Sequence, residues 1–138
     1  MKITIGDYLI KRLKELGINH IIGVPGDFNL QFLEQINDAE GIEFVGASNE
    51  LNGAYAADGY ARECGISALC ITYGVGDLGA IGGVAGSFAE HIPVIVISGS
   101  PPLYAKRNRY KVHHSLADGD FTNVANTYEE FTKLQTVI

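Results

Sequence analysis

Apolar and polar positions along the chain follow two rhythms, and the rhythms take turns. Over residues 5–16, Ile5, Tyr8, Leu9, Leu13 and Leu16 fall on one helical stripe, and Gly17 supplies a stop. A continuous apolar run over 18–24 follows, closed by Pro25-Gly26, which predicts a buried strand. Leu30, Leu33 and Ile36 share a face of a second helix, with Asp27 or Asn29 placed to cap it. Residues 42–47 predict a second strand, 49–62 an alanine-rich helix, 66–72 a third strand, 77–90 another helix and 93–98 a fourth strand. The strands are apolar throughout rather than alternating. That pattern belongs to a parallel sheet covered on both faces, so the expected fold is a single α/β domain.

Parallel sheets of this kind bind ligands at the carboxyl ends of their strands. Here those ends carry Pro25-Gly26-Asp27, Ser48-Asn49-Glu50, Thr72-Tyr73-Gly74-Val75-Gly76 and Gly99-Ser100-Pro101. After Pro102 the periodicity dissolves. Residues 103–120 form a connection of a length that is often functional, and they hold Lys106, Arg107, Arg109, Lys111, His113, His114, Asp118 and Asp120. Residues 121–138 predict one more helix and the start of a strand at Thr136-Val137-Ile138.

Composition narrows the function classes. A chain of 138 residues, 46% hydrophobic and 19% charged, has enough apolar material for one ordinary globular core. The net charge of −6 gives no general attraction to nucleic acid or anionic membrane, and the cations at 106–111 read as a solvated surface. No segment is long and apolar enough to span a bilayer, and the amino-terminal residues lack signal-peptide features, so a cytoplasmic location is expected. Cys64 and Cys70 have no CxxC spacing and read as reduced thiols.

The residues that could carry chemistry collect on the predicted carboxyl edge. Glu50 opens a helix, so it is either a first-turn charge facing the helix dipole or a proton-handling group. The cluster from Gly23 to Asp27 lacks both the G-x-G-x-x-G fingerprint and a P-loop ending, and reads otherwise as a turn and cap. Gly79, Gly82, Gly83 and Gly86 recur at helical spacing, each costing about 1 kcal/mol against alanine. Close packing within the domain and contact with a ligand or second subunit both account for such a face. His113 and His114 read as a solvated loop or as proton-transfer groups, since imidazole titrates near neutrality; adjacent histidines are poorly disposed for one metal.

Four stretches, taken together and in this order, resemble a known family: VPGDFNLQFLEQI, NELNGAYAADGYAR, TYGVGDLGAIGGVAGSFAEHIPVIVISGSP and HHSLADGDF. They are similar to the amino-terminal, pyrimidine-binding domain of thiamine-diphosphate-dependent 2-oxo-acid decarboxylases, which include pyruvate, indolepyruvate and branched-chain 2-oxo-acid decarboxylases. The resemblance covers essentially the whole of 1–138 and implies a flavodoxin-like fold. It implies that Glu50 hydrogen-bonds N1′ of the aminopyrimidine, favouring the tautomer whose exocyclic nitrogen takes the thiazolium C2 proton. It further implies that Pro25, Gly26, Thr72, Gly74 and Val75 line the pyrimidine site. Asp27, His113 and His114 would face the reacting carbon, bind the 2-oxo acid and move protons there.

In that family the diphosphate is bound through Mg²⁺ by a Gly-Asp-Gly motif on a different, carboxyl-terminal domain. Asp118-Gly119-Asp120 is not that motif. No metal ligand is therefore expected on this chain, and the resemblance makes it half of a site, completed by the diphosphate-binding domain of a partner subunit in a homo-oligomer. Alone, the chain is expected to be inactive. Two other readings stand beside this one: a non-catalytic subunit that keeps the fold as an interaction module, and a carboligating relative of the acetolactate or sulfopyruvate type.

Overall fold

The computed structural model describes residues 2–138. Helix α1 (Ile5–Glu15) is opened by Thr4, whose hydroxyl accepts from the Asp7 amide at 3.0 Å while the Asp7 carboxylate accepts back from Thr4, and Gly17 ends the element at φ 83°. The chain then runs through β1 (His20–Gly23), α2 (Leu30–Asp38), β2 (Glu43–Gly46), α3 (Glu50–Cys64), β3 (Ser67–Thr72), α4 (Val75–Ala89) and β4 (Val94–Gly99). All neighbouring strands are parallel, in the order β2-β1-β3-β4. This is the α/β sheet that the continuous apolar runs predict.

β3 is the axis of the domain, with all six residues buried. Leu69 and Ile71 face a core that includes Ala54, Ala57, Ala80, Val84 and Tyr128; Ala68 and Cys70 face the other, with Ile10, Leu13, Ile21 and Ile36. Burial pushes the Cys70 thiol up to about 12, so it is an inert core group, while Cys64 is a free thiol on the surface. The strand order reverses direction at the β1–β3 pair, which makes the carboxyl ends of those two strands the topological switch point.

The last third departs from expectation. A short helix, α5 (Leu103–Arg107), interrupts the connection that reads as irregular, and α4 starts at Val75 rather than Asp77. The predicted final helix is α6 (Asn123–Tyr128) followed by a 3₁₀ turn, Glu129–Phe131. The strand expected at Thr136-Val137-Ile138 does not form: Val137 and Ile138 are exposed and none of the three joins the sheet. Three residues without a neighbouring strand edge cannot satisfy their own backbone groups as a strand.

Candidate active site

The switch point is built by backbones that touch. A methyl group added at Gly26, just after β1, would lie 2.6 Å from Cβ of Thr72 at the end of β3. The Gly26 turn is fixed by Asn29, which is buried: its Oδ1 accepts from the Gly26 amide at 2.8 Å and its Nδ2 donates to the Val24 carbonyl at 3.0 Å. Asn29 occupies the cap position of α2 but makes no side-chain cap bond, and Asp27 does not cap the helix either. Asp27 is thereby left to project from the turn.

Glu50 is the first residue of α3, whose cap is Asn49: Oδ1 of Asn49 accepts from the Asn52 amide at 2.9 Å. The Glu50 carboxyl group lies against α4. Methyl groups built at Gly76 and Gly79 would come within 3.5 Å of its Oε1 and Oε2 respectively. Further along the same seam a Cβ at Gly83 would stand 2.5 Å from that of Ala54. The glycine face of α4 is thus explained by packing within the domain, and Gly86 alone of those four has open space around it. Glu50 is half-buried, and its carboxylate has no hydrogen-bond or ion-pair partner among the described residues.

Two further polar atoms on this edge are buried without a partner: Oγ1 of Thr72 and Nδ1 of His114. Thr72 is 4% exposed and lies between Gly26 and Gly76, with its Cγ2 3.2 Å from where a Gly76 methyl group would be. Val75 is 52% exposed at the start of α4. Buried polar groups without partners are costly in a finished protein, typically about 1–3 kcal/mol each. A free carboxylate, an orphaned hydroxyl and an exposed apolar side chain together suit a flat heterocycle with hydrogen-bonding edges.

The histidine pair reaches the same edge from the other side. Nε2 of His113 and Oδ2 of Asp27 are 2.8 Å apart, a pair formed across 86 residues of sequence. Phe28 stacks on His113 with centroids 5.0 Å apart and meets His114 edge-on at 6.0 Å. Gly74, at φ 77°, presses against the His114 backbone so closely that a methyl group there would lie 1.6 Å from the His114 carbonyl oxygen. Asp27, His113, His114 and Gly74 are therefore one contact cluster. Glu50, Thr72 and Gly76 form its neighbour, joined through the Gly26–Thr72 contact, and Glu50 itself does not bond to the histidines.

Sequence reasoning missed Asn29, Phe28 and Asp77. Asp77 is 4% exposed, and its Oδ2 accepts from the Gly74 amide at 2.8 Å and the Ser98 hydroxyl at 3.0 Å. Burial raises its carboxyl to about 6, against the lowering effect of those two bonds. An acidic residue three positions after a turn glycine was the available signal. The loop acids do something else. Asp118 accepts from the Asp120 amide, and Asp120 accepts from the amide and hydroxyl of Thr122, bonds that hold Asp120 below the usual carboxylate range. Among the described residues no three His, Cys, Asp or Glu side chains gather as a metal site would require. Open grooves of about 480 and 470 Å³ lie along α1–α2 and beside His20 and Glu43, and neither includes a residue of this edge.

Comparison with known proteins identifies the family. A family described as thiamine pyrophosphate enzyme, N-terminal TPP binding domain, matches residues 3–124. An alpha-keto-acid decarboxylase of Mycobacterium tuberculosis is 52% identical over 132 residues, 96% of this chain and 24% of its own length. Pyruvate decarboxylase isozyme 3 of Saccharomyces cerevisiae is 46% identical over 142 residues, 98% of this chain and 25% of its own. A candidate thiamin diphosphate-dependent enzyme isolated from Mycobacterium smegmatis has the same fold, with a TM-score of 0.82 at 19% identity, over 96% of this chain and 24% of that one. The chain thus spans about a quarter of the length of the relatives it matches. It belongs to the thiamine pyrophosphate enzymes and corresponds to their N-terminal TPP binding domain.

Proposed function

We propose that this chain supplies the aminopyrimidine-activating half of a thiamine-diphosphate-dependent site that decarboxylates a 2-oxo acid to an aldehyde and CO₂. The observation that carries the reading is Glu50: a carboxylate with no partner of its own, standing at a helix start over the glycine seam and beside the orphaned Thr72 hydroxyl. When bound, the cofactor supplies an acidic carbon that becomes a nucleophile and then an electron sink. Glu50 holds a proton at the pyrimidine N1′ position. Pro25, Gly26, Thr72, Gly74 and Val75 shape the surface for the ring, with Thr72 the group able to hydrogen-bond its edge. Asp27 orients His113 through the 2.8 Å contact, so that the imidazole can bind the substrate carboxylate or pass a proton to the reacting carbon after CO₂ has left. His114 stands next to it, its ring centroid 4.5 Å from that of His113.

The relatives named as alpha-keto-acid and pyruvate decarboxylases support the reaction class. In this reading the diphosphate and Mg²⁺ are left to another domain, contributed by a partner subunit in a homo-oligomer; that the chain spans about a quarter of its relatives' length supports it. Cytoplasmic residence is part of the same reading; the observation in hand is that no described helix is long and apolar enough to cross a membrane. The test is an aldehyde- and CO₂-release assay with thiamine diphosphate, Mg²⁺ and a panel of 2-oxo acids. The enzyme that carries this chain is expected to turn over at least one of them, and the 138-residue chain alone none. Turnover by the isolated chain would overturn the half-site; carboligation without aldehyde release by the whole enzyme would overturn the reaction class.

A further inference from the structure

Asp77 is the only buried carboxylate among the described residues, and no cation pairs with it. What surrounds it is a junction. Its Oδ2 takes the Gly74 amide from the β3–α4 turn and the Ser98 hydroxyl from the end of β4, while its own carbonyl accepts from the Tyr128 hydroxyl of α6 at 2.5 Å. Gly74 in turn carries the seat of the histidine pair: it sits at φ 77°, and the space a side chain would fill holds the His114 carbonyl. His114 is held at φ 62°, a left-handed conformation that non-glycine residues adopt only when their surroundings impose it.

We propose that Asp77 is a positioning residue: its carboxylate, bound to Gly74 and Ser98, fixes the turn on which His114 is seated and so sets where the histidine pair faces the substrate. The inference rests on the reading of the histidines as part of a decarboxylase site. A plain helix cap would serve α4 alone. Asp77 also ties β4 and α6 to the turn, and the turn to a residue of the proposed site. An amide oxygen can accept the same two bonds, so the role depends on the bonds and not on the charge.

The experiment is carried out in the enzyme that carries this chain, with thiamine diphosphate, Mg²⁺ and the 2-oxo acid it turns over fastest. Asp77→Ala is expected to lower kcat at least about tenfold, with KM changed far less, because misplacements near 1 Å cost up to about 10²-fold. Asp77→Asn is expected to recover most of that loss. Ser98→Ala, at an exposed side chain whose loss leaves the core intact, removes one of the two bonds and is expected to lower kcat about threefold. Wild-type kcat in a folded Asp77→Ala enzyme overturns the proposal; where that variant does not fold, wild-type kcat in Ser98→Ala overturns it. If the unmutated enzyme decarboxylates nothing, the functional reading has failed, and Asp77 is judged by NMR titration of the His114 imidazole instead. Positioning then requires the midpoint to move by at least about half a pH unit in Ser98→Ala or Asp77→Ala, and an unmoved midpoint in both overturns it.

Discussion

The two parts of the proposed site are held in opposite ways. Glu50 stands on the α3–α4 seam, where helices meet backbone to backbone and Gly83 leaves no room for a methyl group against Ala54. His113 is held by one ring stack and one pair with Asp27, in which the side chains are 54% and 65% exposed. The first arrangement cannot shift without parting two helices, because packed interiors deform little. The second rests on surface contacts that are individually weak and easily rearranged. A group that must hold one atom of a cofactor gains from the first kind of support. Groups that bind a substrate, move protons and release a product gain from the second.

Asp77 lies where the two regions join, and its ionisation is expected to have the largest effect on stability. Its folded value of about 6 lies above the ordinary 3.8, so the folded chain binds that proton more tightly than the unfolded one. The contribution to stability is fully present below about pH 4 and is lost as pH rises through about 6, a cost on the order of 3 kcal/mol at neutrality. Denaturant midpoints measured across that window are expected to fall more steeply with pH for the unmutated chain than for Asp77→Asn; parallel curves would show that the buried charge is not there.

Breaking the seam comes next. Gly83→Ala puts a methyl group 2.5 Å from Cβ of Ala54 and is expected to cost about 2 kcal/mol, whereas Gly86→Ala, with nothing near it, should stabilise by up to about 1 kcal/mol. Urea unfolding of the two variants checks this, and a neutral Gly83→Ala would mean the helices are not in close contact. The smallest effect belongs to the loop. Removing the exposed His113–Asp27 pair by His113→Ala is expected to change stability by less than about 1 kcal/mol, read in the same unfolding assay. A larger loss would mean that the loop is braced like the seam.

Much of this was legible in the residues, for identifiable reasons. Continuous apolar runs such as 66–72 have one stable use, the middle of a parallel sheet, and they led directly to β3. The carboxyl-edge rule then brought Gly26, Glu50, Thr72 and Gly74 together before any geometry was known. The glycine spacing in α4 signalled close approach but not the surface approached, because one helix carries no record of its neighbour; Ala54 on α3 supplies the answer. Asp77 was hidden for a related reason. An acid near a helix start reads as an exposed dipole partner, and only the packing of Ser98 and Tyr128 around it makes it an interior group. The expected strand at 136–138 failed because strand propensity forms nothing without an adjacent edge.

The central claim is that Glu50 activates the cofactor, and the rate of C2 hydrogen–deuterium exchange in bound thiamine diphosphate tests it most directly. In the enzyme that carries this chain, Glu50→Gln keeps the shape of the side chain and removes the proton-holding carboxylate. Exchange is expected to slow by about 10²-fold or more, the contribution typical of a positioned acid–base group. Exchange at the rate of the unmutated enzyme, with cofactor bound, would contradict the account.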